Sequence, residues 1–271
     1  MIHGFGACKE HWRNNKKILS EIAPCYSIDL IGFGNSSQPK ANIGREVNDD
    51  QTFFYSFDSW AKQIQSFCES IIKTQVILIG NSIGGVIALK AATLLQKRCK
   101  KVILINCAVR TLDDKKLHQQ PLLLQSIRPL LKFTVKQRWL SKALFNYAAN
   151  PSFIKNVLKK AYPSGKNLDL ELINMLYQAT QRVGASEAFF GFTNIFNDYL
   201  APELMEDMNI PVDLIWGDKD PWESIKEAQD WFNTISCICS LNIIKGAGHC
   251  PHDEDPENVN KILTKLIQQA K

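Results

Sequence analysis

"VILIGNSIGGVIAL", residues 76–89, sets one hydroxyl, Ser82, among three glycines where one apolar run gives way to another. Val76–Gly80 has the β-branched and aliphatic content of a strand buried on both faces, and Ile83–Leu95 has the length of a helix. The junction matches G-x-S-x-G in the strand-to-helix setting that this motif requires. A nucleophile presented there must stand clear of the sheet on a sharp turn, and side chains at the flanking positions would meet neighbouring backbone. Gly80 and Gly84 remove those side chains, and Gly85 lets the helix pack close. The competing reading is a glycine-rich turn that binds phosphate through its amides. The stretch has neither GxxxxGK[ST] nor GxGxxG, which disfavours it.

A serine is a poor nucleophile at neutral pH without an adjacent base. "GAGHCPHDEDP", residues 246–256, supplies His249 in a loop after the last strand candidate, with His252 as competitor. Gly246 and Gly248 favour His249, because a tight loop can aim that side chain back across the sheet edge. The base needs a carboxylate to hold its tautomer. "IWGDKDPW", residues 215–222, offers Asp218 and Asp220. Asp220 is preferred because it lies further past the strand end, and Asp218 is expected to cap the turn. "HGFG", residues 3–6, is a Gly-flanked loop that can present an amide to a developing oxyanion. Gly4 leaves that amide unobstructed, and the backbone N–H groups of Phe5 and Ile83 are the natural pair. His3 is expected to be a structural histidine bonded to nearby backbone.

Around these motifs, short apolar runs alternate with amphipathic stretches. Strands are expected at Cys25–Ile31, Val76–Gly80, Val102–Asn106, Val212–Trp216 and Leu241–Lys245, with helices at Ser56–Ile72, Ile83–Leu95, Glu223–Thr234 and Pro256–Gln269. That alternation predicts an α/β fold with a mostly parallel sheet flanked by helices. Residues 110–205 break the rhythm. They are leucine-rich and helical in pattern, as in "QRWLSKALFNYAAN", residues 137–150. The expected organisation is a core of 1–109 and 206–271 with 110–205 inserted as a helical cap.

Composition narrows the class. At 45% hydrophobic and 22% charged the chain is globular, and no apolar run approaches the roughly 18 residues of a membrane span. Eight cysteines are scattered without CxxC or zinc spacing, so free thiols, an intracellular, cytoplasmic setting and no metal or other cofactor are expected. The net charge of +5 is unevenly placed. Arg110 to Lys166 holds twelve Lys/Arg against two acids, a local balance of +10 that leaves −5 for the rest. Beside its apolar residues, this basic segment raises the expectation of peripheral contact with an anionic membrane surface. No recognised nucleic-acid module is present, so no nucleic-acid partner is expected.

"HGFG", "DLIGFGNSSQP", "GNSIGG", "WGDKDPW" and "GAGHCPHDEDP" together resemble the α/β-hydrolase fold superfamily in order and spacing over nearly the whole chain. More narrowly, "HGFGACKEHWRNN" and "GNSIGGVIALKAA" resemble cyanobacterial and plastid hydrolases of the pheophytinase and chlorophyll-dephytylase type. The resemblance implies an eight-stranded, mostly parallel sheet with a helical cap after the strand at 102–106, and a Ser82–Asp220–His249 triad. The family's aspartate-nucleophile enzymes, dehalogenases and epoxide hydrolases, are disfavoured by Ser82 and Ile83. The family also has two or three strands before "HGFG", so earlier strands are expected to be missing here through truncation or a misassigned start. The expected activity is hydrolysis of a carboxylic ester, or a related acyl bond, of a hydrophobic small-molecule substrate, the cap aromatics Trp139, Phe145, Phe153, Phe189, Phe190, Phe192 and Phe196 lining a pocket for a large apolar group or packing the cap's own core. The rivals are a carbon–carbon bond hydrolase or lyase on the same fold, and a non-catalytic binding protein.

Overall fold

The apolar runs assemble into parallel strands, seen here in a computed structural model that describes residues 1–44 and 52–270. A short helix α1 (Lys16–Ser20) precedes a two-residue ladder of β1 (Lys40–Ala41) with β2 (Thr52–Phe53). Helix α2 (Phe57–Phe67) leads into the main sheet, which orders β3 (Val76–Asn81), β4 (Cys99–Ile105), β5 (Val212–Gly217) and β6 (Ile238–Ile244) side by side, all parallel. Helix α3 (Ile83–Leu95) crosses from β3 to β4. Between β4 and β5 the chain runs through α4 (Leu122–Val135), α5 (Arg138–Ala148), α6 (Pro151–Ala161), α7 (Leu170–Thr180), α8 (Ala185–Thr193) and α9 (Ala201–Met205). Helix α10 (Ile225–Thr234) joins β5 to β6, and α11 (Pro251–Glu254) and α12 (Pro256–Gln268) follow.

Side-chain alternation divides the core between the two faces of the sheet. Leu78, Val102, Leu104, Val212, Leu214 and Trp216 pack with Trp60 of α2 and Ile87 and Leu89 of α3. Their neighbours Ile79, Ile103, Ile105 and Ile215 pack on the other face against Val259, Leu263, Leu266 and Ile267 of α12. Each such side chain contributes roughly 1.5–3 kcal/mol when fully buried, so the layered order is over-determined. A third, smaller cluster joins Leu158 and Tyr162 to Leu172, Ile173 and Cys250, and ties α6 and α7 to the loop after β6.

Two expectations are corrected. Cys25–Ile31 does not form a strand; Ile28 makes one isolated parallel bridge with Ile2, which also bridges Gly80. The Leu30 amide donates instead to His3 Nε2 at 3.1 Å and the Ile31 amide to Gln63 Oε1 at 2.9 Å, so side chains take the ladder's donors. The sheet of eight strands that the resemblance implied is also reduced: among the described residues it has four regular strands, extended by these bridges. The last strand begins at Ile238 rather than Leu241 and is partly solvated, as an edge strand can be. Its Ser240 hydroxyl donates to Asp213 Oδ1 at 2.6 Å, beside a Lys101–Asp213 ion pair of 2.8 Å.

Candidate active site

Ser82 lies between β3 and α3 with φ 56° and ψ −124°, in a region that costs a side-chain-bearing residue on the order of 1–3 kcal/mol. Backbone bonds hold it there. Its N–H donates to Ile105 O at 3.0 Å, and its carbonyl accepts from Gly85 N at 3.0 Å and Ala108 N at 3.1 Å. The four glycines singled out in the sequence surround this turn. A Cβ on Gly80 would come within 2.2 Å of Gly84 O, on Gly84 within 2.4 Å of Ile2 O, on Gly85 within 2.7 Å of Cys107 Sγ, and on Gly4 within 3.1 Å of Ser82 Cβ. Only glycine permits so tight a crossing of the first residues over the serine turn.

The loop at 3–6 is lashed to the same place. Ile2 N donates to Ile79 O at 2.8 Å and Asn81 N to Ile2 O at 3.1 Å. Buried His3 is the structural residue expected: its Nδ1–H donates to Gly4 O at 2.8 Å, and its Nε2 accepts from Leu30 N. Burial lowers its pKa, which keeps the ring neutral in that tautomer. The bond to Gly4 O fixes the peptide plane whose N–H belongs to Phe5. Among the described residues, neither the Phe5 nor the Ile83 amide donates to a protein acceptor, as the first turn of a helix leaves Ile83. Both remain available to an outside oxygen.

The base and carboxylate positions meet across the ends of β5 and β6. His249 Nδ1 lies 2.8 Å from Asp220 Oδ2, and the Asp220 carboxylate is fully shielded from solvent. Oδ1 of Asp220 accepts the N–H groups of Trp222 at 2.8 Å and Glu223 at 3.1 Å, and Oδ2 also accepts from Asn106 Nδ2 at 2.7 Å. Burial opposes the charge, yet the bond and charge of His249 with the two amides hold the carboxyl below the usual range. An ionised Asp220 assigns the proton to Nδ1 and leaves Nε2 with a free lone pair. Trp222 packs edge-on to the imidazole at 4.9 Å. Among the described residues no hydrogen bond joins Ser82 Oγ to His249; such bonds are often loose before substrate binds. Asp218 caps the turn, accepting from Gly246 N at 2.6 Å. His252 is buried against Trp12 and His11, and among the described residues neither of its ring nitrogens has a hydrogen-bond partner.

The site thus gathers at the carboxyl ends of four parallel strands, where α/β sheets bind ligands. Residues 1–256 match the family described as alpha/beta hydrolase fold. The chain belongs to this family. An uncharacterized hydrolase of Bacillus subtilis, YugF, is 27% identical over 271 residues, covering 98% of this chain and 88% of that protein. The chloroplastic pheophytinase of Arabidopsis thaliana is 28% identical over 253 residues, 88% of this chain, but the match spans only 48% of the pheophytinase. A thermophilic esterase from Thermogutta terrifontis superposes with a TM-score of 0.72 at 19% identity, over 99% of this chain and 88% of its own, a likeness of fold.

Three residues of this hydrolase-fold site escaped the sequence reading. Asn106 bridges strands, taking Gly217 N–H on Oδ1 at 2.9 Å while its Nδ2 serves Asp220. Asn81 Nδ2 donates to Ile105 O and to His249 O, both at 3.1 Å, so the residue before the serine also holds the histidine loop. Glu223 accepts Val109 N–H at 2.8 Å, and burial pushes its carboxyl up to about 7. Position beside the motifs was the one available signal, at Asn81 and Asn106. For a metal, Cys8, Glu10 and Asp29 bring ligand atoms within 4.8 Å of one another. Burial pushes the Cys8 thiol up to about 12, away from the thiolate a metal needs, and Asp29 already accepts the N–H groups of Lys9 and Asn35.

Proposed function

We propose that this chain is a serine hydrolase that cleaves a carboxylic ester of a hydrophobic substrate through Ser82, His249 and Asp220. The observation that carries the reading is the Asp220–His249 pair at 2.8 Å on strand ends beside a serine held at φ 56°. Ser82 Oγ attacks the ester carbonyl carbon while His249 Nε2 takes its proton, and the amides of Phe5 and Ile83 receive the oxyanion. The tetrahedral adduct expels the alcohol, which takes the proton back from His249. Water then repeats the sequence at the acyl-enzyme, releasing the acid and restoring Ser82.

Residues 110–205 serve as the lid of this site in the same reading. Phe5 stacks on Phe192 of α8 at 4.0 Å and lies 6.3 Å from Phe189, so the oxyanion loop and the inserted helices share an aromatic wall. Phe33 adds an edge at 5.7 Å, and Phe145 of α5 reaches Phe189 at 5.7 Å. That wall supports a substrate with a large apolar part. Trp139, 72% exposed, and Phe153, 36% exposed, contribute little to it.

The test is covalent and kinetic. A fluorophosphonate probe should label the wild type and not Ser82→Ala. A panel of p-nitrophenyl esters, with pheophytin added because of the pheophytinase likeness, should be turned over by the wild type alone. Asp220→Asn should lower kcat by on the order of 10³–10⁴-fold. Ester turnover that survives Ser82→Ala overturns the proposal, and labelling without any ester turnover would favour a carbon–carbon bond hydrolase.

A further inference from the structure

Helix α4 is amphipathic in the inverse sense. Its cations turn inward: Lys132 pairs closely with Asp114, Arg128 lies 3.5 Å from the same carboxylate, and the two sit 5.0 Å and 5.4 Å over the Phe196 ring. Its apolar residues turn outward, with Leu122, Leu123, Leu130 and Phe133 between 65% and 79% exposed, and no residue of the helix is buried. A surface helix of a globular protein does the reverse. The display continues into α5 and α6, where Trp139 and Tyr147 are more than 70% exposed and Tyr147 meets Phe153 edge-on at 5.7 Å. One exposed leucine needs no explanation, but a whole apolar helix face does.

Charge identifies what covers it. From Lys115 to Leu168 the sequence contains no Asp or Glu. The neighbouring Lys136, Lys142, Lys155, Lys159 and Lys160 are exposed and make no ion pair among the described residues. A second copy of this chain docking by the same face would set these lysines against their own counterparts with no acid to answer them, which is repulsive. An apolar face with Trp, Tyr and Phe, flanked by free lysines, matches the headgroup boundary of an anionic bilayer. We propose that the outer face of α4, continued by α5 and α6, docks on an anionic lipid surface. The leucines and aromatics enter the boundary between headgroups and acyl chains, and the lysines meet phosphates. No helix among the described residues is long and apolar enough to cross a membrane.

This docking is independent of the chemistry at Ser82, and its test reads binding. Vesicles of phosphatidylcholine with and without phosphatidylglycerol are floated with the whole chain at low and high salt. The expected result is partition into phosphatidylglycerol vesicles that falls on the order of ten-fold at high salt. Leu130→Asp with Phe133→Asp, and separately Lys142→Glu with Lys159→Glu, should each cut it by on the order of ten-fold or more. Circular dichroism and thermal unfolding, unchanged in these exposed-site variants, keep loss of binding distinct from loss of fold. The proposal is overturned by failure to float at low salt, by equal partition of the wild type and the apolar variant, or by a concentration-dependent dimer that the apolar variant abolishes.

Discussion

Glu223 shows how a single side chain can carry a proton the unfolded chain would release. Its N–H serves Asp220 while its own carboxyl accepts Val109 N–H, and burial pushes its pKa from 4.5 up to about 7. Between those values the folded protein binds a proton that the unfolded one has lost. The contribution to stability is therefore complete below about 4.5 and is lost as pH rises through about 7. Glu223→Gln keeps a polar side chain of the same length and removes the titration. Discounting for partial exposure, wild-type stability relative to Glu223→Gln should fall by on the order of 2 kcal/mol from pH 5 to 8. Urea midpoints of the two proteins across that range measure it; a constant difference would show that Glu223 ionises normally. Nothing near Glu223 in the sequence announces this. The cause is burial, in a fold that brings its carboxyl to Val109, a residue past the end of β4 and far away along the chain.

At the scale of elements, legibility followed how local the determinants were. The strand–turn–helix around Ser82 is specified by glycines within a few residues of the serine, and it formed where its pattern placed it. Cys25–Ile31 has an equally strand-like pattern, but the side chains of His3 and Gln63 take its amides, and neither is adjacent in sequence. The chain between β4 and β5 folds into helices, whereas the inversion of α4 was hidden, because an amphipathic pattern does not say which face turns inward. The loop carrying His249 depends on a clamp of the same non-local kind. Buried Glu254 takes Gly248 N–H on Oε2 at 2.6 Å, and Ser164 N–H and hydroxyl on Oε1 at 2.8 Å and 2.6 Å. Glu254→Ala leaves three donors without an acceptor and should cost roughly 2–4 kcal/mol in denaturant unfolding. Because Gly248 precedes His249, kcat for p-nitrophenyl esters should fall as well, with partial recovery in Glu254→Gln. Wild-type kcat in a folded Glu254→Ala would remove Glu254 from the positioning of His249.

Across the whole molecule, the joint between sheet and inserted helices is built from buried polar groups around histidines that must stay neutral. His11 Nε2 donates to Tyr162 Oη at 2.7 Å, and that hydroxyl donates to Asp253 Oδ2 at 2.9 Å. Arg13 closes the joint, reaching Asp253 Oδ1 at 2.9 Å and both oxygens of Asp169 at 3.0 Å. Burial lowers the pKa of His11 to about 4, that of His252 well below its usual value, and that of His3 in the same direction. A histidine with a folded pKa below its unfolded value adds stability that is full above about 6.5 and is lost as pH falls through the folded value. For His11 alone the loss between pH 6.5 and 4 is on the order of 3 kcal/mol, and the other two steepen it. Acid should therefore loosen this joint at a pH where ordinary carboxylates are still ionised. Urea midpoints at pH 7.5, 6 and 5 give the slope, and amide exchange at residues 161–169 gives the place. His252→Phe separates this cause from general acid lability, since among the described residues neither ring nitrogen has a partner to lose. The variant's stability should depend less on pH between 7 and 5 than the wild type's, whatever its packing cost at neutral pH. Equal slopes would mean that the unfolding proton goes elsewhere.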